Sequence, residues 1–236
     1  MSPPRLNPTI TTPWLVAGTE RFLALVTGLD DAALREASRL PGWTRAHVVG
    51  HVARNAEALG RLVTWAVTGD ETPMYASAER RAADIEASAA LPARELRDDV
   101  VATAARLADA LAGLPEDRLG VSVRGATGRE LPAGAVPWLR VREVWLHGLD
   151  LDAGATPAEL PAGVVDELLD DVTRTLPAKP GCPAVRLVAT DWSAEWQLAP
   201  PGHTPDTTVK ATAAQLATWL TGRHEIPGAP PLPPWL

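Results

Sequence analysis

Cysteine, lysine, phenylalanine and tyrosine are nearly missing from this sequence, and the shortages exclude whole classes of protein. The one cysteine, Cys182, rules out an internal disulfide framework and any cysteine-rich zinc site. Only two of the 22 basic residues are lysine, Lys179 and Lys210, and 29 acidic residues bring the formal net charge to −7. A nucleic-acid binder usually gathers a basic excess into a patch, so nucleic acid is not an expected partner. No run of about 18 apolar residues occurs, so no membrane span is expected. Residues 1–13 hold one arginine and no apolar segment of signal-peptide length. A cytoplasmic protein is therefore expected. Phe and Tyr occur once each while Ala, Arg, Pro and Gly are abundant, the bias of a GC-rich coding sequence.

What remains is ordinary for a folded protein: 46% hydrophobic and 22% charged residues. A length of 236 residues allows one large domain or two small ones. The 23 prolines are about twice the usual share, and many fall in the last third, which should be rich in turns.

Two regions differ in texture. Through residues 11–151 the apolar period is helical. Trp14, Val16, Phe22, Leu25, Val26 and Leu29 predict a first helix. Leu40, Pro41, Gly42 and Trp43 break the chain, and Thr44 reads as the N-cap of a helix running to about Val67. A short helix near 78–87 and a long one over 91–111 follow. Residues 121–123 and 129–131 read as a small hairpin, and 136–151 as the fourth long helix. Four long helices imply a four-helix bundle over residues 1–153. Residues 154–161 read as a linker. Beyond it, a helix over 162–176, strands over 184–189, 195–198 and 206–210, and a helix over 211–221 with Gly222 as its C-cap imply a small α+β domain, residues 154–236, of α/β-sandwich type. The Pro-rich tail from Pro227 has no regular structure available to it, although Trp235 and Leu236 could dock on the surface.

Chemistry resides in the polar residues of these apolar helices. On a helical wheel of 136–151, Glu143, His147 and Asp150 form one narrow stripe, with apolar side chains nearly all round. A buried carboxylate is costly unless it is paired or binds a metal. Glu-x-x-x-His sets both groups on one face, one turn apart, which suits a shared ion and equally suits a Glu–His hydrogen bond. On the second helix His51 borders the stripe through Val48 and Val52 and can face Glu143 and His147 across the bundle. Two histidines and one carboxylate suit Zn²⁺ or Fe²⁺ with one position left open. His47 reads as a surface residue or a support to the site, and His203 and His224 as loop residues. Cys182, between Gly181 and Pro183, has no group nearby in sequence to lower its pKa and reads as inert. Any thiol chemistry must then use an external thiol.

The segment from Gly42 to Ala56, GWTRAHVVGHVARNA, resembles the metal-site helix of the mycothiol-dependent maleylpyruvate isomerases, within the wider DinB-like four-helix metalloproteins. Residues 65–75 (WAVTGDETPMY), residues 140–150 (RVREVWLHGLD) and the C-terminal Pro-Pro-Trp-Leu match as well, so the resemblance spans nearly the whole chain. It implies that His51, Glu143 and His147 bind a divalent metal, usually zinc, and that mycothiol is the thiol cofactor. It further implies a functional arginine after the last helix, at Arg223, and another after the Met74–Tyr75 loop, at Arg81. Tyr75, Arg81 and Arg142 are the candidates for holding substrate, and Arg223 for stabilising enolate charge.

The implied reaction converts maleylpyruvate to fumarylpyruvate by reversible thiolate addition. Two other readings stay open on the sequence. A mycothiol S-transferase on the same fold would stop after addition to an electrophile, and a non-catalytic DinB-type domain would act as a metal-bound binding module or regulator. The expected partners are small molecules, maleylpyruvate or another electrophile together with mycothiol, and the chain is expected to be a monomer or weak dimer.

Overall fold

A computed structural model of the chain describes residues 3–235. Its helices begin where the sequence supplies caps. Asn7 accepts the Thr9 N–H at 3.0 Å and starts α1 (Pro8–Gly28). Thr44 caps α2 (Arg45–Thr68). Ser77 caps α3 (Ala78–Ala89) through the Arg80 N–H, and α4 (Ala93–Ala112) starts after Pro92 rather than at Leu91. A two-stranded hairpin follows, β1 (Ser122–Arg124) with β2 (Glu130–Pro132), paired antiparallel with Val123 opposite Leu131. Then comes α5 (Val136–Asp150), with Pro137 in its first turn where no N–H is required.

The described chain separates into two compact units, the first ending at Ala155 and the second beginning at Thr156. In the first, α2 packs against α4, α5 and α3, and α1 against α5 and α4, which makes the four long helices a bundle. Leu59, Leu62 and Val63 of α2 form the core with Met74, Leu107, Val123 and Val136. At Gly50 α2 and α3 touch closely: a Cβ there would stand 2.7 Å from the Ser88 Cβ. A larger residue would push away the helix that carries Arg81.

In the second unit α6 (Ala162–Thr175) and α7 (Ala213–Leu220) pack on each other and on a three-stranded sheet. The sheet order is β4 (Glu195–Leu198), β3 (Val185–Ala189), β5 (Thr207–Ala211), with β3 antiparallel to β4 and parallel to β5. Val185, Leu187 and Ala189 alternate onto the buried face of β3, the period of a sheet covered on one side. Helix α7 is shorter than its apolar pattern because Thr212 and Gln215 form a capping box that starts it at Ala213. Trp235 docks as expected, donating from Nε1 to the Thr175 hydroxyl at 3.1 Å. Leu236 lies outside the described residues. Among these no helix is long and apolar enough to cross a membrane.

Candidate metal centre

Helices α2 and α5 bring together residues that the sequence keeps far apart. His51 and Asn55 lie one turn apart on the buried side of α2, and Arg140, Glu143, His147 and Asp150 follow at three- and four-residue spacing along α5. His51 Nε2 stands 2.9 Å from Glu143 Oε2, and His147 Nε2 stands 3.2 Å from the same oxygen. The two imidazoles meet edge to face, with centroids 4.7 Å apart. One ligand atom from each of the three residues lies within 4.8 Å of the others. Among the described residues no other trio of His, Cys, Asp or Glu meets that spacing. The Glu143 side chain is 19% exposed against 6% for His51, so the cluster opens on the Glu143 side.

Each ionisation follows from these contacts. Burial pushes the Glu143 carboxyl up, but hydrogen bonds from His147 and His51 outweigh it and hold the group well below the usual carboxylate range. Burial alone would lower His147, yet its hydrogen bonds to Asp150 and Glu143 raise it. For His51 desolvation dominates and the pKa falls. The donor set fits a divalent ion. Asp150 Oδ2, 2.8 Å from His147 Nδ1, takes that N–H, so Nε2 is the nitrogen the ring offers to an ion in exchange for its proton. Ligands at about 2.0–2.2 Å in a tetrahedral set stand roughly 3.3–3.6 Å apart, near the spacings found here. Two imidazoles and one carboxylate are a borderline set that suits zinc or iron.

Arg81, on α3, reaches this cluster: its Nη2 is 3.4 Å from His51 Nδ1, and its guanidinium lies 5.5 Å above the Tyr75 ring. Tyr75 lies beside Asn55 and Arg81, and burial raises its phenol pKa. Arg142 is half-buried on α5 beside Glu143. Arg223 lies in the second unit, just past α7. There Gly222, with φ of +78°, donates to Trp219 O and the Arg223 N–H donates to Thr218 O, a turn that needs a left-handed residue. Thr221 is the C-cap, one residue before the glycine expected in that position. His47 takes a capping part, with Nδ1 accepting the Thr44 N–H at 3.2 Å and Nε2 facing Glu86. Cys182 is buried, and desolvation raises its thiol pKa, as suits an inert residue.

Two participants escape the sequence reading. Arg140 is 1% exposed and donates from Nη1 to Val52 O at 2.7 Å and to Asn55 Oδ1 at 2.9 Å. Its pKa is lowered to about 10 by burial, against the favourable fields of Glu143 and Tyr75. Asn55 thus anchors the buried guanidinium one helical turn from His51. The signal was present in the spacing: Asn55 is four residues after His51, and Arg140 three before Glu143.

The chain is thus a helical bundle that holds a buried His–Glu–His cluster able to take a metal ion, followed by a small α/β unit. Two family models divide the chain in the same way: "Mycothiol maleylpyruvate isomerase N-terminal domain" matches residues 15–152 and "MDMPI C-terminal domain" matches residues 159–230. A solved structure, "Crystal structure of the mycothiol-dependent maleylpyruvate isomerase", is 33% identical, with a TM-score of 0.86 over 93% of this chain and 95% of that one. A histidine-to-alanine mutant of that enzyme matches at 32% identity with the same TM-score and coverage. No curated protein matches this sequence. The chain belongs to the mycothiol-dependent maleylpyruvate isomerase family and is an enzyme of that isomerase-like type, which sets aside the non-catalytic reading.

Proposed function

We propose that this protein isomerises maleylpyruvate to fumarylpyruvate with mycothiol as its thiol cofactor and zinc held by His51, Glu143 and His147. The observation that carries the proposal is the convergence of two imidazole Nε2 atoms on one Glu143 oxygen, at 2.9 and 3.2 Å, beside the Arg81 guanidinium. Zinc bound there would supply a Lewis acid that keeps a thiol sulfur deprotonated at neutral pH. The thiol sulfur forms a bond to the alkene carbon conjugated with the ketone, and the π electrons move onto the ketone oxygen. Rotation about the resulting single bond, return of the electrons and loss of the sulfur leave the trans alkene. Nothing is oxidised or reduced, and the thiol is regenerated.

The chain's own residues prepare that sequence of events. Asp150 holds the His147 ring by its Nδ1, so the opposite nitrogen faces the site. Arg81 places a cation beside it, where a substrate carboxylate or enolate oxygen gains a charged donor. The Tyr75 phenol, kept protonated by burial, offers a second donor. Arg142 is the further candidate for a substrate carboxylate, and the family resemblance assigns Arg223 to turnover.

The test is to follow the cis dienol absorbance of maleylpyruvate with zinc-loaded protein and catalytic mycothiol. Loss of the absorbance with many turnovers per mycothiol is the expected result. Stoichiometric consumption of mycothiol with a stable conjugate would identify an S-transferase instead, and no reaction would remove maleylpyruvate as substrate.

A further inference from the structure

A cavity of about 310 Å³ in the bundle unit lies next to the His–Glu–His cluster and shares Tyr75 and Arg81 with it. Its other walls come from Trp65 at the end of α2, from Glu71 and Met74 in the loop that follows, and from Arg124 in the β1–β2 hairpin. The loop is pinned in place, with Arg61 Nη1 donating to Met74 O at 2.7 Å. Glu71 Oε1 and Arg124 Nη1 pair at 3.1 Å and tie the loop to the hairpin, with both side chains about half exposed. The volume lies at the lower end of the roughly 300–1,000 Å³ of small-molecule pockets.

The composition of these walls selects among ligands. A second carboxylate of a dicarboxylic substrate would meet Arg124 already paired with Glu71, whose charge repels it. A polyhydroxylated, uncharged group meets no such penalty. Trp65 and Tyr75 supply aromatic surface in the cavity wall, which suits the C–H groups of a sugar ring. The Glu71 carboxylate can accept from hydroxyls and the Arg124 guanidinium can donate to them, and the two lie side by side. Mycothiol is such a molecule: an acylated cysteine joined by an amide to an uncharged glucosamine–inositol pseudodisaccharide.

We infer that this cavity is the subsite for the pseudodisaccharide of mycothiol, with Trp65 as its stacking platform and Glu71 and Arg124 as its hydroxyl-reading pair. The inference rests on the mycothiol-dependent reading above. The subsite explains how the cofactor can be told from smaller thiols: the cysteine end is common to many, whereas only a thiol carrying the polyol fills the cavity.

The experiment is calorimetric binding to the zinc-loaded full-length protein, with mycothiol and N-acetylcysteine as the two probes and no turnover. Wild type is expected to bind mycothiol at least tenfold more tightly than N-acetylcysteine. Trp65→Ala and Glu71→Ala should each weaken mycothiol roughly tenfold and leave N-acetylcysteine unchanged. Glu71→Ala alters only a half-exposed surface pair that contributes little to folding, so it keeps the test valid if Trp65→Ala fails to fold. Equal losses for both thiols, or no loss for mycothiol in either folded variant, would overturn the subsite while leaving the mycothiol reading intact. A wild-type protein that binds no mycothiol at all would overturn both.

Discussion

Asp150 Oδ2 accepts the Nδ1–H of His147 at 2.8 Å, and Asp150 is itself 1% exposed. The pair spans i to i+3 at the end of α5, so the helix that supplies two candidate ligands also supplies the group that orients one of them. An orienting carboxylate of this kind fixes the ring tautomer and raises the ligand's basicity. Asp150→Asn should keep the fold yet lower metal affinity by about 10–100-fold, the usual cost of losing such a partner. Competition with a chelator of known affinity measures it. Unchanged affinity would show that His147 needs no orienting group.

Removal of a ligand is the stronger test. The wild-type protein should carry about one divalent ion per chain, and His147→Ala should lose most of it, because a three-ligand site has no spare donor. Elemental analysis of both purified proteins decides the matter. Full occupancy in His147→Ala would refute the trio.

Cys182 is buried, its Sγ lies 3.6 Å from Pro183 O, and burial raises its pKa. A thiol so placed is a poor nucleophile at neutral pH. Cys182→Ser should therefore retain activity in the maleylpyruvate assay, while omission of mycothiol should abolish it. A folded but inactive Cys182→Ser protein would place the nucleophile in the chain.

Arg140 is a wholly buried guanidinium whose pKa is lowered to about 10. The sign follows from that direction: the folded state binds this proton less tightly than the unfolded chain does. The cost of burying the charge is thus present throughout neutral pH and is relieved only above about 10. Its side chain nevertheless fills core volume and satisfies Asn55 Oδ1. Arg140→Ala should destabilise the protein by about 2–4 kcal/mol, combining a cavity with an orphaned buried acceptor. Urea unfolding reports the change, and equal stability would mean that the desolvation cost cancels both.

Arg223 carries the family's expectation for turnover. Arg223→Ala should keep its fold and its metal and lose roughly 10²–10³ in kcat, the typical cost of one charge-stabilising donor. Wild-type turnover in a folded, metal-loaded Arg223→Ala protein would remove Arg223 from the chemistry.

Local order in this protein was legible because its causes are local. Thr44, Gly42 and Pro41 mark the start of α2 within a few residues, and the period of Val48, Val52, Leu59 and Val63 marks its buried face. The α5 wheel placed Glu143, His147 and Asp150 on one stripe for the same reason, since helical spacing alone determines which side chains share a face. Boundaries moved where a cap or proline competed with the apolar period, as at Thr212 and Pro92. Contacts between elements had no such local cause. That His51 and His147 reach one Glu143 oxygen depends on the rotation and height of α2 against α5, which core packing decides. That Arg140 spends its donors on Val52 and Asn55 depends on the same register. The wheel passed over Arg140 because arginine usually lies at the surface, and burial is a property of the assembled helices. The sequence by itself determined which residues each helix offers to the site, whereas the tertiary structure decided which of them meet.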